Sequence, residues 1–276
     1  MKLAVEIENI ESWPQEFKEE ALKNKPLLIS YHQECHRISQ LGEEDLIARV
    51  YPPLNEFEAE YRALADKLET ILSVHRLVGY HCTRLTVREI KAIKDGGLNI
   101  LSDELVQQRL DNALCDGHLT EEQVSYLRNS DNLKECLDDR HGGRTGMIWF
   151  CPNRSLLKHE GEFHRLFRSW GGEAVYWGHE RDENISHAIR RVGTPCIVKG
   201  ALPFCDVRHF SERLSDRFLS YIVSDVIEYP ESPVCFDMYS KQNLISTDIL
   251  EIIDISSPEF EHLTGYKNWG EKIESF

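Results

Sequence analysis

Three short stretches join residue types that can do chemistry to apolar surroundings that make such residues costly to leave idle. Residues 80–84 read Tyr-His-Cys-Thr-Arg, residues 149–155 Trp-Phe-Cys-Pro-Asn-Arg-Ser, and residues 170–177 Trp-Gly-Gly-Glu-Ala-Val-Tyr-Trp. The third is the most informative. Glu173 stands against Ala-Val-Tyr-Trp, where a carboxylate loses hydration unless it is paired or used. The Gly171-Gly172 pair before it leaves room for another backbone or a ligand to approach. A carboxylate so placed is a candidate for a role in binding or catalysis. His81 and Arg154 also have plainer readings: a structural histidine satisfied by its neighbours, and an arginine that caps a carbonyl or pairs with an acid.

These residues fall where strands should meet loops or helices. Residues 77–83 form a short apolar, strand-like run. Thr86 then caps a helix with Val87, Ile90 and Ile93 inward, stopped by Gly96-Gly97. Residues 103–114 and 121–137 read as two more helices, the second opened by a Thr120/Gln123 capping box. Residues 147–151 read as a strand ended by Pro152, and residues 156–169 as an amphipathic helix. Residues 173–177 are strand-like, 185–192 helical, 195–202 a strand and 249–255 a late strand; 217–229 suit a helix or a pair of strands. Towards the N-terminus, residues 16–25 are helical up to Pro26, and Pro52-Pro53 breaks the chain again. Asn55 looks like the N-cap of a further helix, with Phe57, Tyr61, Leu64, Leu68, Ile71 and Leu72 at helical spacing up to about His75. The expected architecture is α+β: a helical N-terminal appendage over residues 1–75, packed on a domain of residues 76–276 in which helices and long loops separate the strands.

Composition narrows the chemistry. The 276 residues carry a formal charge of −15, which disfavours broad, nonspecific phosphate binding but leaves room for a local basic groove. The eight cysteines include no C-x-x-C pair and read as reduced thiols in a cytoplasmic protein. The first residues lack the apolar core of a signal peptide, and no run approaches the ~20 apolar residues of a membrane span. No metal site is expected, since His75 with His81 and His159 with His164 are only loose pairs. The stretch 142–146 is glycine-rich but lacks the Lys-Ser/Thr ending of a phosphate loop. No G-x-S-x-G elbow occurs, and Cys151 with His159 or His164 has no neighbouring mark of an oxyanion hole. Arg165, Phe167, Arg168 and Trp170 interleave cations with aromatics, either as a stacking surface for nucleic acid or as an amphipathic helix with a solvated basic edge.

Taken in order, the three stretches resemble the ADP-ribosyltransferase fold family. A first strand carries His81 and, two residues on, Thr83. A helix follows with the pattern Glu89-Ile90-x-x-Ile93-x-x-Gly96-Gly97-Leu98, then an aromatic second strand, then a later glutamate. The run Phe150-Cys151-Pro152-Asn153-Arg154 is similar, with one extra residue, to the turn in nucleic-acid-modifying toxins of bacterial toxin–antitoxin and phage-defence systems. The likeness covers about residues 77–202. It implies a split, mixed β core with helices and an enzyme that uses NAD as substrate, transferring ADP-ribose to a nucleic acid or, slightly less favoured, a protein. A partner antitoxin is implied with it. A glycohydrolase, or an inactive module that binds NAD or a partner, is the alternative on the same scaffold.

The resemblance also assigns roles. Glu173 would stabilise the oxocarbenium-like ribose as nicotinamide leaves, and His81 would hydrogen-bond a ribose hydroxyl, with Thr83 supporting the strand end. Arg154 or Arg84 would hold the pyrophosphate. Trp149, Phe150 or Tyr176 would stack on nicotinamide. Gly171 stands two residues before Glu173, where protein-arginine-modifying members carry Glu or Gln, so that variant is not expected. The stretch between Gly97 and Met147 is a helical insertion without an assigned role.

Overall fold

The computed structural model describes residues 2–138, 144–209, 213–227 and 237–269. Residues 141–143 of the glycine-rich stretch, Cys235 and residues 270–276 lie outside them. The chain is a mixed α+β protein whose contacts divide it into two compact units.

The first unit holds residues up to Leu77 and takes back Pro203–Cys205 and a helix from late in the chain. It contains β1 (Ala4–Val5), α1 (Gln15–Lys23), α2 (Lys25–Glu44), α3 (Leu46–Val50) and α4 (Glu58–Leu72). The returning helix, Leu214–Val223, resolves the open reading of residues 217–229 in favour of helix over its described part and shows that the helical unit is not the N-terminal segment alone. Its Phe218 joins Trp13 and Phe17 in an edge-to-face trio with centroids 5.2–5.4 Å apart. Tyr31 stacks flat on Tyr61 at 3.8 Å, and the Tyr61 hydroxyl donates to Asp216 Oδ1 at 3.0 Å. Pro26, expected to stop a helix, instead occupies the first turn of α2, where no backbone N–H is required. Asn55 Oδ1 accepts from the Phe57 N–H just ahead of α4.

The second unit carries the three stretches. Its first strand is β2 (Arg76–Leu85), followed by α5 (Val87–Gly96), α6 (Asp103–Cys115), α7 (Glu121–Arg128) and α8 (Asp131–Leu137). Next come β3 (Ile148–Phe150), α9 (Glu160–Arg168), α10 (Glu173–Tyr176), α11 (Ser186–Arg191), β4 (Thr194–Pro203) and β5 (Val207–His209). After the returning helix, α12, the chain ends its described course with β6 (Met238–Ser240), β7 (Ile249–Asp254) and α13 (Pro258–Thr264). β2, β4 and β7 are successive neighbours in one sheet, with β4 and β7 antiparallel and a register shift at Lys199/Gly200. β3, β6 and β5 form a second sheet, and a bridge between Tyr80 and Cys151 links β2 to the end of β3. The mixed α+β class expected from the sequence is therefore present, arranged as two small sheets.

Local signals explain most of these boundaries. The Thr86 hydroxyl accepts from the Glu89 N–H at 3.2 Å while Glu89 Oε2 accepts from the Thr86 N–H at 2.7 Å, closing a capping box. Gly97 ends α5 at φ +96°, and any Cβ there would stand 1.8 Å from the Leu244 carbonyl oxygen. The single helix expected over 121–137 is two, because Ser130 starts a new one by accepting from the Leu133 N–H at 3.2 Å.

Candidate functional site

Glu173 lies in a helical turn rather than a strand, correcting the reading of residues 173–177. The glycines decide this. Gly171 and Gly172 adopt φ +96° and +69°, reversing the chain, and the Gly172 carbonyl then accepts from both the Val175 and Tyr176 N–H groups at 3.0 Å. Val175 folds back so closely that a Cβ on Gly171 would meet its Cβ at 2.3 Å. A four-residue apolar run suits a strand or a buried turn equally, and the paired left-handed glycines select the turn.

The turn opens onto a cleft of about 510 Å³. β2 supplies His81 and Thr83, β3 supplies Trp149 and Phe150, and Gly171-Gly172-Glu173 form another wall. Glu89 and Arg109, from α5 and α6, Arg144 just before β3 and Asp237 just before β6 also line it. The volume lies within the roughly 300–1,000 Å³ typical of small-molecule sites.

Electrostatics differentiate the lining groups. Arg144 Nε meets Glu173 Oε2 at 2.5 Å, and its guanidinium lies 4.8 Å from the centroid of the Trp149 ring. Burial nevertheless raises the Glu173 carboxyl above the ordinary glutamate value; Arg144 and Arg165 pull it down and Asp237 adds to the rise. His81 Nδ1 lies 2.8 Å from the Trp149 carbonyl oxygen, so Nδ1–H is the donor and Nε2 is left as an acceptor in the neutral ring. Burial lowers the His81 value below the usual one against the pull of that carbonyl, and Arg109 adds to the lowering. The ring also packs edge-on to Phe150 at 5.8 Å.

Glu89 ties this cleft together. Its carboxylate accepts from Arg109 Nε at 2.6 Å and from the Trp170 indole N–H at 3.0 Å, besides capping α5. Burial alone would raise its value, but Arg109, the Thr86 N–H and the Trp170 indole together hold it below the ordinary glutamate value. Arg109 also lies over the Trp170 ring at 4.9 Å. Trp170 is buried and directly precedes Gly171-Gly172-Glu173, so Glu89 fixes the start of the turn that carries Glu173.

Of the residues expected at the site, His81, Thr83, Trp149, Phe150 and Glu173 share the cleft, whereas Arg84, Arg154 and Tyr176 do not line it. Arg84 points into the protein. Its guanidinium donates to the carbonyls of Val192 (3.0 Å), Phe167 (3.0 Å) and Gly193 (2.7 Å), which consumes the geometry expected to grip pyrophosphate. Arg154 faces Glu259 at 3.7 Å. Tyr176 is packed among Val106, Leu110 and Ile189, and burial drives its phenol well above the usual value, so its ring is core rather than a stacking surface. Phe167 and Trp170 are likewise core, while Arg165 and Arg168 bind Glu180 at 2.8 Å, so residues 165–170 offer no base-stacking platform, and the basic edge expected to be solvated is paired instead.

The sequence reading missed Arg144, Arg109, the clamping role of Glu89, and Asp237. Arg144 lies in the glycine-rich stretch set aside for lacking a phosphate-loop ending, and Glu89 was accounted for by its cap. Among the described residues, no three His, Cys, Asp or Glu side chains cluster to hold a metal ion, and no helix is long and apolar enough to cross a membrane. Comparison with protein-family models, curated proteins and solved structures finds no match to this chain.

Proposed function

We propose that the second unit is an ADP-ribosyltransferase of the family its sequence resembles, cleaving the nicotinamide–ribose bond of NAD and passing ADP-ribose to a macromolecule. The observation that carries this reading is the shared cleft of Glu173 and His81, with an arginine and an aromatic wall between β3 and the glycine turn. The lining suits the substrate by charge and shape. Arg144 offers a cation to the pyrophosphate, Trp149 offers a flat apolar face to nicotinamide over the buried Phe150, and neutral His81 presents Nε2 to a ribose hydroxyl. As the cationic nicotinamide departs, positive charge grows on the ribose. The Glu173 carboxylate, in a half-buried setting that strengthens its field, stabilises that charge. Since Arg144 pairs with Glu173, substrate phosphate draws the guanidinium away and frees the carboxylate for ribose.

The acceptor is nucleic acid or protein; the basic–aromatic run that favoured nucleic acid is occupied with the core and with Glu180. A toxin or anti-phage role in the cytoplasm, held in check by an antitoxin, belongs to the same proposal. Asp237 favours a second reading, a glycohydrolase. A second carboxylate on the cleft beside Glu173 can take the proton of an attacking water.

Incubating the protein with NAD labelled in the adenylate, together with RNA, DNA and lysate protein, tests both readings. Nicotinamide release with label on a macromolecule is expected for the transferase, and free labelled ADP-ribose for the glycohydrolase. Intact NAD in every arm overturns both.

A further inference from the structure

α3 and the segment after it expose an apolar surface that folding of the first unit leaves uncovered. Leu46, Ile47, Val50, Tyr51 and Leu54 are 76%, 73%, 65%, 78% and 94% exposed. Four of them fall at i, i+1, i+4 and i+5, on one side of the short helix, and Pro52-Pro53 carries Leu54 on from it. Isolated exposed leucines need no explanation. Five large apolar side chains within nine residues, each at least 65% exposed, make a patch on the order of the ~300–600 Å² of the largest on a typical monomer, a size that is often functional.

The patch is held in place. Asp45 Oδ1 accepts from the Ile47 N–H at 2.8 Å to cap α3, and α3 folds back so tightly on the end of α2 that a Cβ on Gly42 would stand 3.4 Å from Arg49 Cα. An ordered apolar face loses little further chain entropy on docking.

We infer that this face pairs with the same face of a second copy of the chain. Covering it, together with its polar rim, approaches the ~800 Å² per partner of a standard stable interface. One continuous segment forms it, so each copy presents the same apolar surface and a two-fold axis lets each cover the other. An antiparallel crossing of the two α3 helices also brings Arg49, at the C-terminal end of one, towards Glu43 and Glu44 before the N-terminus of the other. Tyr51 is the aromatic anchor at the centre. The surplus acid at the rim makes self-repulsion the opposing term, so the pair tightens as salt rises. The same acid disfavours an anionic bilayer as the occupant. The inference is independent of the enzymatic reading.

Sedimentation equilibrium of the full chain at low and high salt tests it. Twice the chain mass, with tighter association at high salt, is expected for the wild type and for the control Val87→Glu, whose side chain, expected to face inward from the first turn of α5, is exposed. Ile47→Glu and Tyr51→Ser should each sediment as monomers with an unchanged far-ultraviolet circular dichroism spectrum, and melt at the temperature the wild type approaches on dilution. A wild type that stays monomeric up to about 100 µM overturns the inference. So does association that Ile47→Glu and Tyr51→Ser leave intact, and so does monomeric protein that co-sediments with phosphatidylcholine vesicles through this patch.

Discussion

Replacing Glu173 by Gln removes one negative charge and almost nothing else, so its effect separates chemistry from folding. A carboxylate about 4 Å from a developing positive charge in a half-buried site of effective dielectric ~20 contributes roughly 4 kcal/mol. That corresponds to about 10³-fold in rate. Stability should respond in the other direction or not at all. The Arg144–Glu173 pair is part-exposed and is worth at most about 1 kcal/mol. Folding raises the Glu173 value, so the ionised carboxylate is a burden on the native state at neutral pH. Its effect on stability is absent below the unfolded value and becomes unfavourable as pH rises from there through the folded value. Glu173→Gln removes that burden. The assay is nicotinamide release from NAD under single-turnover conditions, with thermal unfolding of the same sample. A rate about 10³-fold lower at an equal or higher melting temperature is expected. A rate within tenfold of wild type, or a loss matched by a lower melting temperature, would refute the role given to Glu173.

Arg144→Ala should weaken NAD binding and move the acid limb of the pH–rate profile to higher pH, since Arg144 pulls the Glu173 value down; steady-state rates across pH check both effects. Glu89→Gln should cost about 2 kcal/mol by breaking a part-buried ion pair and weakening the hold on Trp170, as urea unfolding would measure. Because folding lowers the Glu89 value, the wild type's advantage should be present at neutral pH and fall away as pH drops through that folded value. Arg84→Lys should cost about 2 kcal/mol, since a single ammonium cannot reach three carbonyls in a fork, while KM for NAD in the folded fraction stays unchanged.

Much of the secondary structure was legible in the chain because its signals act over a few residues. The Thr86–Glu89 and Thr120–Gln123 boxes, the Gly97 stop, and the strands around His81, Trp149 and Val198 all depend on side chains reaching the nearest backbone or on short apolar patterns. That Glu173 and His81 belong together came from the order of the stretches. The partners of each side chain did not. Arg84 and Arg154 look alike in sequence, yet three carbonyls 83–109 residues away make Arg84 a structural cross-link. Arg144, passed over in a glycine-rich loop, takes the place beside Glu173.

Sequence alone therefore determined the α+β class, the Thr86 and Thr120 helix caps and the choice of Glu173 as the acid to test, because propensity, capping and desolvation are properties of a residue and its near neighbours. Tertiary structure decided which cation meets that acid, which aromatics line the cleft and which are core, and that Glu89 clamps Trp170 across a separation of 81 residues. Those outcomes depend on how distant segments pack, and no local pattern encodes the direction in which a long side chain finds its partner.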